Sequence, residues 1–565
     1  MRRILRKSYF LIFLYLFAAI LTFGKLPFTF FQQDEWLIIG TYLHLDKADL
    51  GWLQKFFFYK QLTHLVPFTH FVSYAQFELF RLNFFLYGLA AIIIHLINTM
   101  LVYYLSALLL KKRVLSFMAG LLFLTTSISH QGFTWIATTI GTSISVLFLL
   151  LFLIFFIKYL NQTASQIRHL FLSMIFFTSS LLFKETSIFG FLLLPAFWFI
   201  YTRGDFTKAK LVAIVFFPIG IVYTAIRIFN FIILSHSGSI EAGFFQTGLD
   251  VYVFRVFTLP LKFISQGILS QEFIIKFANN MMKLAYPSDS LLLEKLNPYI
   301  AQSVGADIVS YLFSVLVIVI SIMCIFFYKK REPQYSKTIL LSLAFMSLSS
   351  FPFIFVPGKA GYNSLIDGRH LYGTEIFTSI LLATLIYAVY LWLPQKKLAL
   401  SVVLIIVITF LRFHVGKIRS DINQQVATGF IRKSILHTIT RLHPKLPERV
   451  IFYIESDKAY YGLAPEDNIV PFQSGFGQTL LVWYNEHGEE FPACFFQDQF
   501  LYVQVSEGYR ECEGRGFGYF RKMESLKSAI IEQNIGTVDI IGFKYTSSTN
   551  TLEEITDSLR RMFKQ

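Results

Sequence analysis

Long apolar stretches recur along this chain, with basic residues in the gaps between them. They fall at about 8–30, 84–110, 114–129, 137–157, 170–183, 186–201, 211–234, 308–328, 338–357, 371–393 and 398–415. A helix that crosses a bilayer needs roughly 20 apolar residues. Lipid offers nothing to backbone amides, so each segment must satisfy them within its own helix. The pattern therefore predicts a polytopic α-helical membrane protein with eleven transmembrane helices. The stretch 170–201 is too long for one of them, since about 32 residues would reach roughly 48 Å. It is read as two short helices turning at Lys184-Glu185.

Beyond residue 415 the pattern changes. "RVIFYIES" (449–456), "FLYVQVSEG" (500–508) and "TVDIIGFKY" (537–545) are rich in β-branched and aromatic residues and predict strands. "MESLKSAIIEQNIG" (523–536) has helical apolar spacing and ends at Gly536, and "LEEITDSLRRMFK" (552–564) predicts a final helix. Two domains are expected: a membrane domain over 1–415 and a soluble α/β domain over 416–565. Within the first, two long segments, 31–83 and 235–307, mix aromatics with charge. Trp52, Phe56, Phe57 and Tyr59, interleaved with Lys47, Lys55 and Lys60, suit either a helix lying in the membrane interface or a partly buried loop helix.

Composition supports this division. The chain has 565 residues, 55% hydrophobic and only 15% charged, where a soluble chain carries about 25% charged. Three Cys are too few for a disulfide scaffold or a zinc site. Cys494 and Cys512 would lie in an oxidising compartment if the second domain is outside, so they are read either as a disulfide or as two separate thiols. The net charge of +15 would suggest nucleic acid were it not for its location. Residues 1–415 hold 33 Lys+Arg against 16 Asp+Glu, whereas residues 416–565 hold 17 against 19.

With the N-terminus (Arg2, Arg3, Arg6, Lys7) in the cytoplasm, alternate loops carry 18 basic and 2 acidic residues, and the rest of 1–415 carries 15 and 14. This is the positive-inside asymmetry. It predicts an inner or plasma membrane protein with a cytoplasmic N-terminus, an extracytoplasmic C-terminal domain, membrane lipid as a partner and no nucleic acid. The first run is longer than a signal peptide and lacks a small-residue cleavage site, so it reads as an anchor.

Five places hold residues that could carry chemistry. Asp34 and Glu35 follow the first helix among Phe and Trp. They could serve as a general base or oxygen ligands for a divalent ion, or merely mark a helix end. Lys184 and Glu185 sit at the predicted turn, as a local ion pair or as a cation facing phosphate with Glu185 orienting it. Arg369 and His370 lie where a loop enters the tenth helix. A guanidinium there could fork onto a lipid phosphate or simply snorkel. His130 and Trp135 occupy a short turn, where a lone His is commonly a structural hydrogen-bonder. His95 and Asn98, one turn apart within a span, read as interhelical glue. No phosphate-binding P-loop, serine-hydrolase elbow, zinc-protease or dinucleotide fingerprint is present, which argues against an ATP-driven pump or a nucleotide-using enzyme.

Taken in order, these segments resemble the GT-C superfamily of integral-membrane glycosyltransferases, above all bacterial relatives of protein O-mannosyltransferases and the transmembrane-TPR O-mannosyltransferase group. "FFQQDEW" is similar to the acidic motif of the first outer loop, and "GLAAIIIHLINTMLVYYL" to the His-x-x-Asn second helix. "LTTSISHQGFTWIATTIG" is similar to the His-Pro…Trp turn, with Gln131 for Pro. "LLFKETSI" resembles Ser-Lys-Glu-Thr, with Phe183 for Ser, and "DGRHLYGTEIF" resembles Glu-Arg-Tyr-Leu-Tyr, departing at Gly368 and His370. The likeness covers about residues 1–395; no TPR repeats follow, and the α/β domain has no counterpart in it.

The resemblance implies a cell-envelope hexosyltransferase, mannosyltransferase-like in sequence. It would move a sugar from a polyprenyl-phosphate donor to a hydroxyl of an acceptor protein, lipid or glycan on the outer face, inverting the anomeric carbon. Asp34 would be the general base with Glu35 in support. Arg369, with Lys184 and His370, would hold the donor phosphate; Glu185 and His130 are further candidates. No cofactor is required, since the cations can neutralise one phosphate, although related enzymes differ in using a divalent metal. Two other readings differ in class. One is a transporter or flippase for a lipid-linked or anionic solute, which should show mid-membrane charges and two related halves. The other is an inactive scaffold acting through residues 416–565.

Overall fold

The computed structural model describes residues 8–32, 34–48, 51, 64–161, 167–202, 206–236, 249–285, 298–355, 365–460, 468–472, 475–497, 500–501 and 507–564. The aromatic and basic residues from Trp52 to Lys60 lie outside them. The chain divides into two compact units. One comprises Met1–Gly24, Lys60–Val72 and Ala90–Arg419; the other comprises Lys25–Tyr59, Ser73–Leu89 and Ser420–Gln565.

The first unit is helical. Among the described residues, eight helices are long and apolar enough to cross a membrane: Tyr9–Phe28, Phe84–Leu110, Ile136–Asn161, Phe206–Asn230, Ser303–Lys329, Pro333–Ile354, Glu375–Trp392 and Lys396–Leu442. Three shorter apolar helices, Arg113–Thr125, Ile167–Phe183 and Glu185–Ile200, account for the remaining predicted spans. At 1.5 Å per residue the shortest reaches about 20 Å, less than the roughly 30 Å of a bilayer's hydrocarbon core. The count of eleven crossings therefore stays a reading of the sequence. The chain turns at Lys184, whose extended backbone (φ −155°, ψ 124°) separates Ile167–Phe183 from the 3₁₀ turn Glu185–Phe189 and the helix Gly190–Thr202. In the predicted loop 235–307 lie two amphipathic helices, Leu249–Gln266 and Gln271–Ala285, with Phe254, Phe257, Phe273 and Phe277 exposed.

The last apolar helix does not stop at residue 415. It runs from Lys396 to Leu442, because the polar sequence beyond Phe413 still favours helix and has no Pro or Gly pair to end it.

The second unit holds a five-stranded sheet: β1 (Arg449–Ser456), β2 (Gly508–Cys512), β3 (Arg515–Phe520), β4 (Ile540–Thr546) and β5 (Thr551–Glu554), in the order β2-β3-β1-β4-β5. Central β1 pairs in parallel with β3 and β4, and the edge strands are antiparallel. Val450 to Ile454 are all buried, the unbroken apolar run of a strand covered on both faces. One face packs Ile451 and Tyr453 on Leu526 and Leu559; on the other, Phe452 meets Tyr484 and Phe517. Three expectations fail here. Residues 500–501 are helical and 502–506 lie outside the described residues, so the strand expected at 500–508 begins only at Gly508. The strand at 537–545 starts at Ile540, after a 3₁₀ turn. Residues 551–554 form β5 before the last helix, Thr556–Lys564. The hairpin between β2 and β3 turns on Glu513 (φ 50°) and Gly514 (φ 80°), the doubly left-handed turn that two-residue hairpins require. Cys494 and Cys512 are disulfide-bonded, with Cα atoms 6.6 Å apart.

Candidate active site

In the first unit, Lys184, Arg369 and His370 line one small cavity of about 30 Å³, together with Thr142, Ser349 and Thr374. The local backbone explains how they meet. A π turn, Ile140–Ile144, interrupts the helical run that continues as Ser145–Asn161. Such turns carry one extra residue and often mark functional sites. Thr142 lies in it, and its Oγ1 accepts a hydrogen bond from Lys184 Nζ at 2.8 Å. The turn bearing Lys184 is tied down on its other side, where Thr69 Oγ1 donates to Phe183 O at 2.5 Å and His64 Nδ1 pairs with Glu185.

Arg369 belongs to the four-residue helix Gly368–Leu371, capped by Asp367. Its Nε lies 2.8 Å from Asp367 Oδ2, and its guanidinium carbon stands 4.7 Å from the centre of the Trp135 ring. The short helix is seated by close backbone contact. A Cβ on Gly368 would come 2.3 Å from Ile128 O, and one on Gly132 would come 2.8 Å from Tyr372 Cβ. This packing is a physical reason for Gly368 where the resemblance expects Glu.

The expected glue at His95 and Asn98 is present and holds this same segment. His95 Nε2 lies 3.1 Å from Leu124 O, so that nitrogen carries the proton, and Nδ1 accepts from Tyr372 OH at 2.7 Å. Asn98 Nδ2 donates to Ser143 O (2.9 Å) and to Tyr372 OH (3.1 Å). His130 stands apart from the cavity lining; it precedes the helix Gln131–Thr134 and pairs with Thr134 Oγ1 at 3.1 Å.

The electrostatics separate the three cavity bases. Burial depresses Lys184 below the usual lysine range; neighbouring Glu185 opposes the shift and Arg369 adds to it. Burial, then Lys184 and Arg369, push His370 down to about 3. His370 is thus neutral at physiological pH and offers hydrogen bonding rather than charge. The other walls are uncharged. Ser145, Ser180 and Ser187 hydroxyls bond one another at 2.7–3.1 Å, Ser349 pairs with Thr374 at 2.9 Å, and Val146, Leu149, Phe189 and Phe353 are apolar.

In the second unit, Asp34 and Glu35 open the helix Asp34–Lys47, where the helix dipole favours negative charge. Glu35 is buried, and its Oε2 accepts the Gln32 N–H at 3.1 Å, so this carboxylate fastens the helix start. Asp34 is partly exposed. The Trp36 ring beside them packs on Phe30, Phe31 and Trp483. Arg432, buried, ties this segment down by donating to Phe31 O (3.3 Å) and Pro471 O (2.7 Å). Among the described residues, the one His/Cys/Asp/Glu grouping close enough to share an ion is Cys494, Cys512 and Glu513. Its two sulfurs are spent in the disulfide, and the thiolate is the form that binds metal.

Sequence reasoning missed Thr142, Asp367, Ser349 and Thr374. The π turn leaves no periodic signal, and Asp-Gly reads as an ordinary cap.

No protein-family model matches this chain, and no curated protein does. Solved structures are similar at low identity. ArnT from Cupriavidus metallidurans, bound to undecaprenyl phosphate, is 11% identical over 91% of this chain and 98% of its own, with a TM-score of 0.41. The oligosaccharyltransferase AglB from Archaeoglobus fulgidus, with an inhibitory peptide and a dolichol-phosphate, is 13% identical over 84% of this chain and 64% of its own, at 0.44. An apo oligosaccharyltransferase from Archaeoglobus fulgidus is 12% identical over 92% and 75%, at 0.42. These scores are too low to carry an argument, so the functional reading rests on the residues of this chain.

Proposed function

We propose that this protein is a GT-C-like glycosyltransferase that moves a hexose from a polyprenyl-phosphate donor to an acceptor hydroxyl on the outer face of the membrane. The observation that carries this reading is the shared cavity: Lys184 and Arg369, far apart in the chain, line one space in a unit of apolar helices. Two cations beside uncharged walls suit a lipid headgroup with a single phosphate. Arg369 is already fixed through Nε and the Trp135 face, which leaves its terminal nitrogens to fork onto phosphate oxygens.

In the proposed step the acceptor oxygen attacks the anomeric carbon while the bond from that carbon to the phosphate oxygen breaks. The bonding pair leaves on the phosphate, and the acceptor proton passes to a general base, the role that the family resemblance gives Asp34 with Glu35 in support. The configuration inverts in one displacement. Negative charge grows on the phosphate as it leaves, and Lys184 and Arg369 stabilise that growth. No metal is needed to neutralise one phosphate, and a divalent ion is compatible with Asp34.

Mass spectrometry of envelope glycans and glycoproteins tests this reading. Cells with the wild-type protein should carry a hexose that is lost on deletion and in Asp34→Asn, and reduced in Arg369→Ala, with both variants still inserted in the membrane. Spectra that do not change on deletion would remove the enzymatic reading. A fully active Asp34→Asn would remove the base.

A further inference from the structure

Asp367 places a negative charge beside Arg369, one of the two cations that line the cavity. Its Oδ2 lies 2.8 Å from Arg369 Nε, while Oδ1 accepts the Arg369 backbone N–H at 3.3 Å. Its charge also reaches Lys184. A cap alone does not explain it, since neutral Asn or Ser serves about as well at that position. Of the other groups acting on Lys184, His370 adds no charge and the Glu185 carboxylate is engaged by His64. Asp367 therefore offsets part of the positive charge that Lys184 and Arg369 present to a ligand in the cavity. A sugar joined to a lipid through one phosphate is a phosphodiester with one negative charge. A sugar joined through a diphosphate carries two.

We propose that Asp367 is a specificity-determining residue that matches the cavity to donors linked through a single phosphate and disfavours diphosphate-linked donors. This rests on the reading that the cavity holds the donor phosphate. The physical basis is that a like charge close to a bound group costs affinity in proportion to that group's own charge.

The test uses the full-length protein in lipid nanodiscs. Binding of undecaprenyl-phosphate-hexose and of undecaprenyl-diphosphate-hexose is measured for wild type and for Asp367→Asn, which removes the charge while keeping a capping side chain. Wild type should prefer the monophosphate donor. Asp367→Asn should shrink that preference by about fivefold or more, mainly by tightening the diphosphate. A purely structural role would weaken both lipids alike, and an unchanged ratio overturns the assignment. If neither lipid binds wild type, the proposed function fails first and the role of Asp367 falls with it.

Discussion

Lys184 is the residue whose ordinary chemistry this environment alters most usefully. A lysine holds phosphate only while protonated. Burial lowers its pKa, and the Arg369 charge lowers it further against the pull of Glu185. The sign follows directly: the proton is held below the depressed value and lost as pH rises through it, at lower pH than for a free lysine. Donor affinity should therefore fall on the alkaline side before ordinary lysines titrate. Lys184→Arg carries a cation that does not deprotonate, so it should abolish that alkaline fall even if its neutral-pH affinity is lower. Donor binding followed from pH 7 upward decides the matter, and superimposable alkaline limbs for the two proteins would acquit Lys184. His370, neutral throughout this range, contributes no limb of its own.

Among the elements, the short helix Gly368–Leu371 has the least freedom. A Cβ at 368 would sit 2.3 Å from a backbone oxygen, and backbone cannot swing aside as a flexible side chain can. Gly368→Ala should cost about 1–3 kcal/mol, the range for overpacking a filled site. It should also lower donor affinity, since Arg369 is the next residue. Thermal unfolding and donor binding measured together would show it, and a variant unchanged in both would mean that the segment 128–132 yields easily. How far such elements could be read beforehand depends on the signal each one leaves. The turn at Lys184 was legible because a 32-residue apolar run cannot fit one crossing, a matter of length alone. The grouping of Lys184 with Arg369 and His370 was legible through motif order. Thr142 was not, since one extra residue in a helix leaves apolar spacing almost intact. β1 was legible from its apolar run, whereas β2 and β5, short edge strands of mostly exposed residues, have none.

At the scale of the whole molecule, the open quantity is how many times the chain crosses the membrane. Eight crossings would return the C-terminal unit to the side of the N-terminus, and eleven would place it opposite. The three helices that decide this are short, but basic residues of the inner set, Lys111 to Arg113, Arg168 and Arg203, stand in the sequence at or next to their ends. The disulfide supplies an independent test. Cytosolic thiols are kept reduced, so an odd count puts this unit where a Cys494–Cys512 bond persists and an even count where it is reduced. Intact cells treated with a membrane-impermeant maleimide should therefore leave the protein unlabelled until an impermeant reductant is added, after which Cys494 and Cys512 react. Cys324, within the apolar helix Ser303–Lys329, should stay unlabelled in both conditions. Labelling of Cys494 and Cys512 only after the cells are broken open would put that unit in the cytoplasm and make the crossing count even. The outer-face assignment of the proposed reaction would then have to be given up.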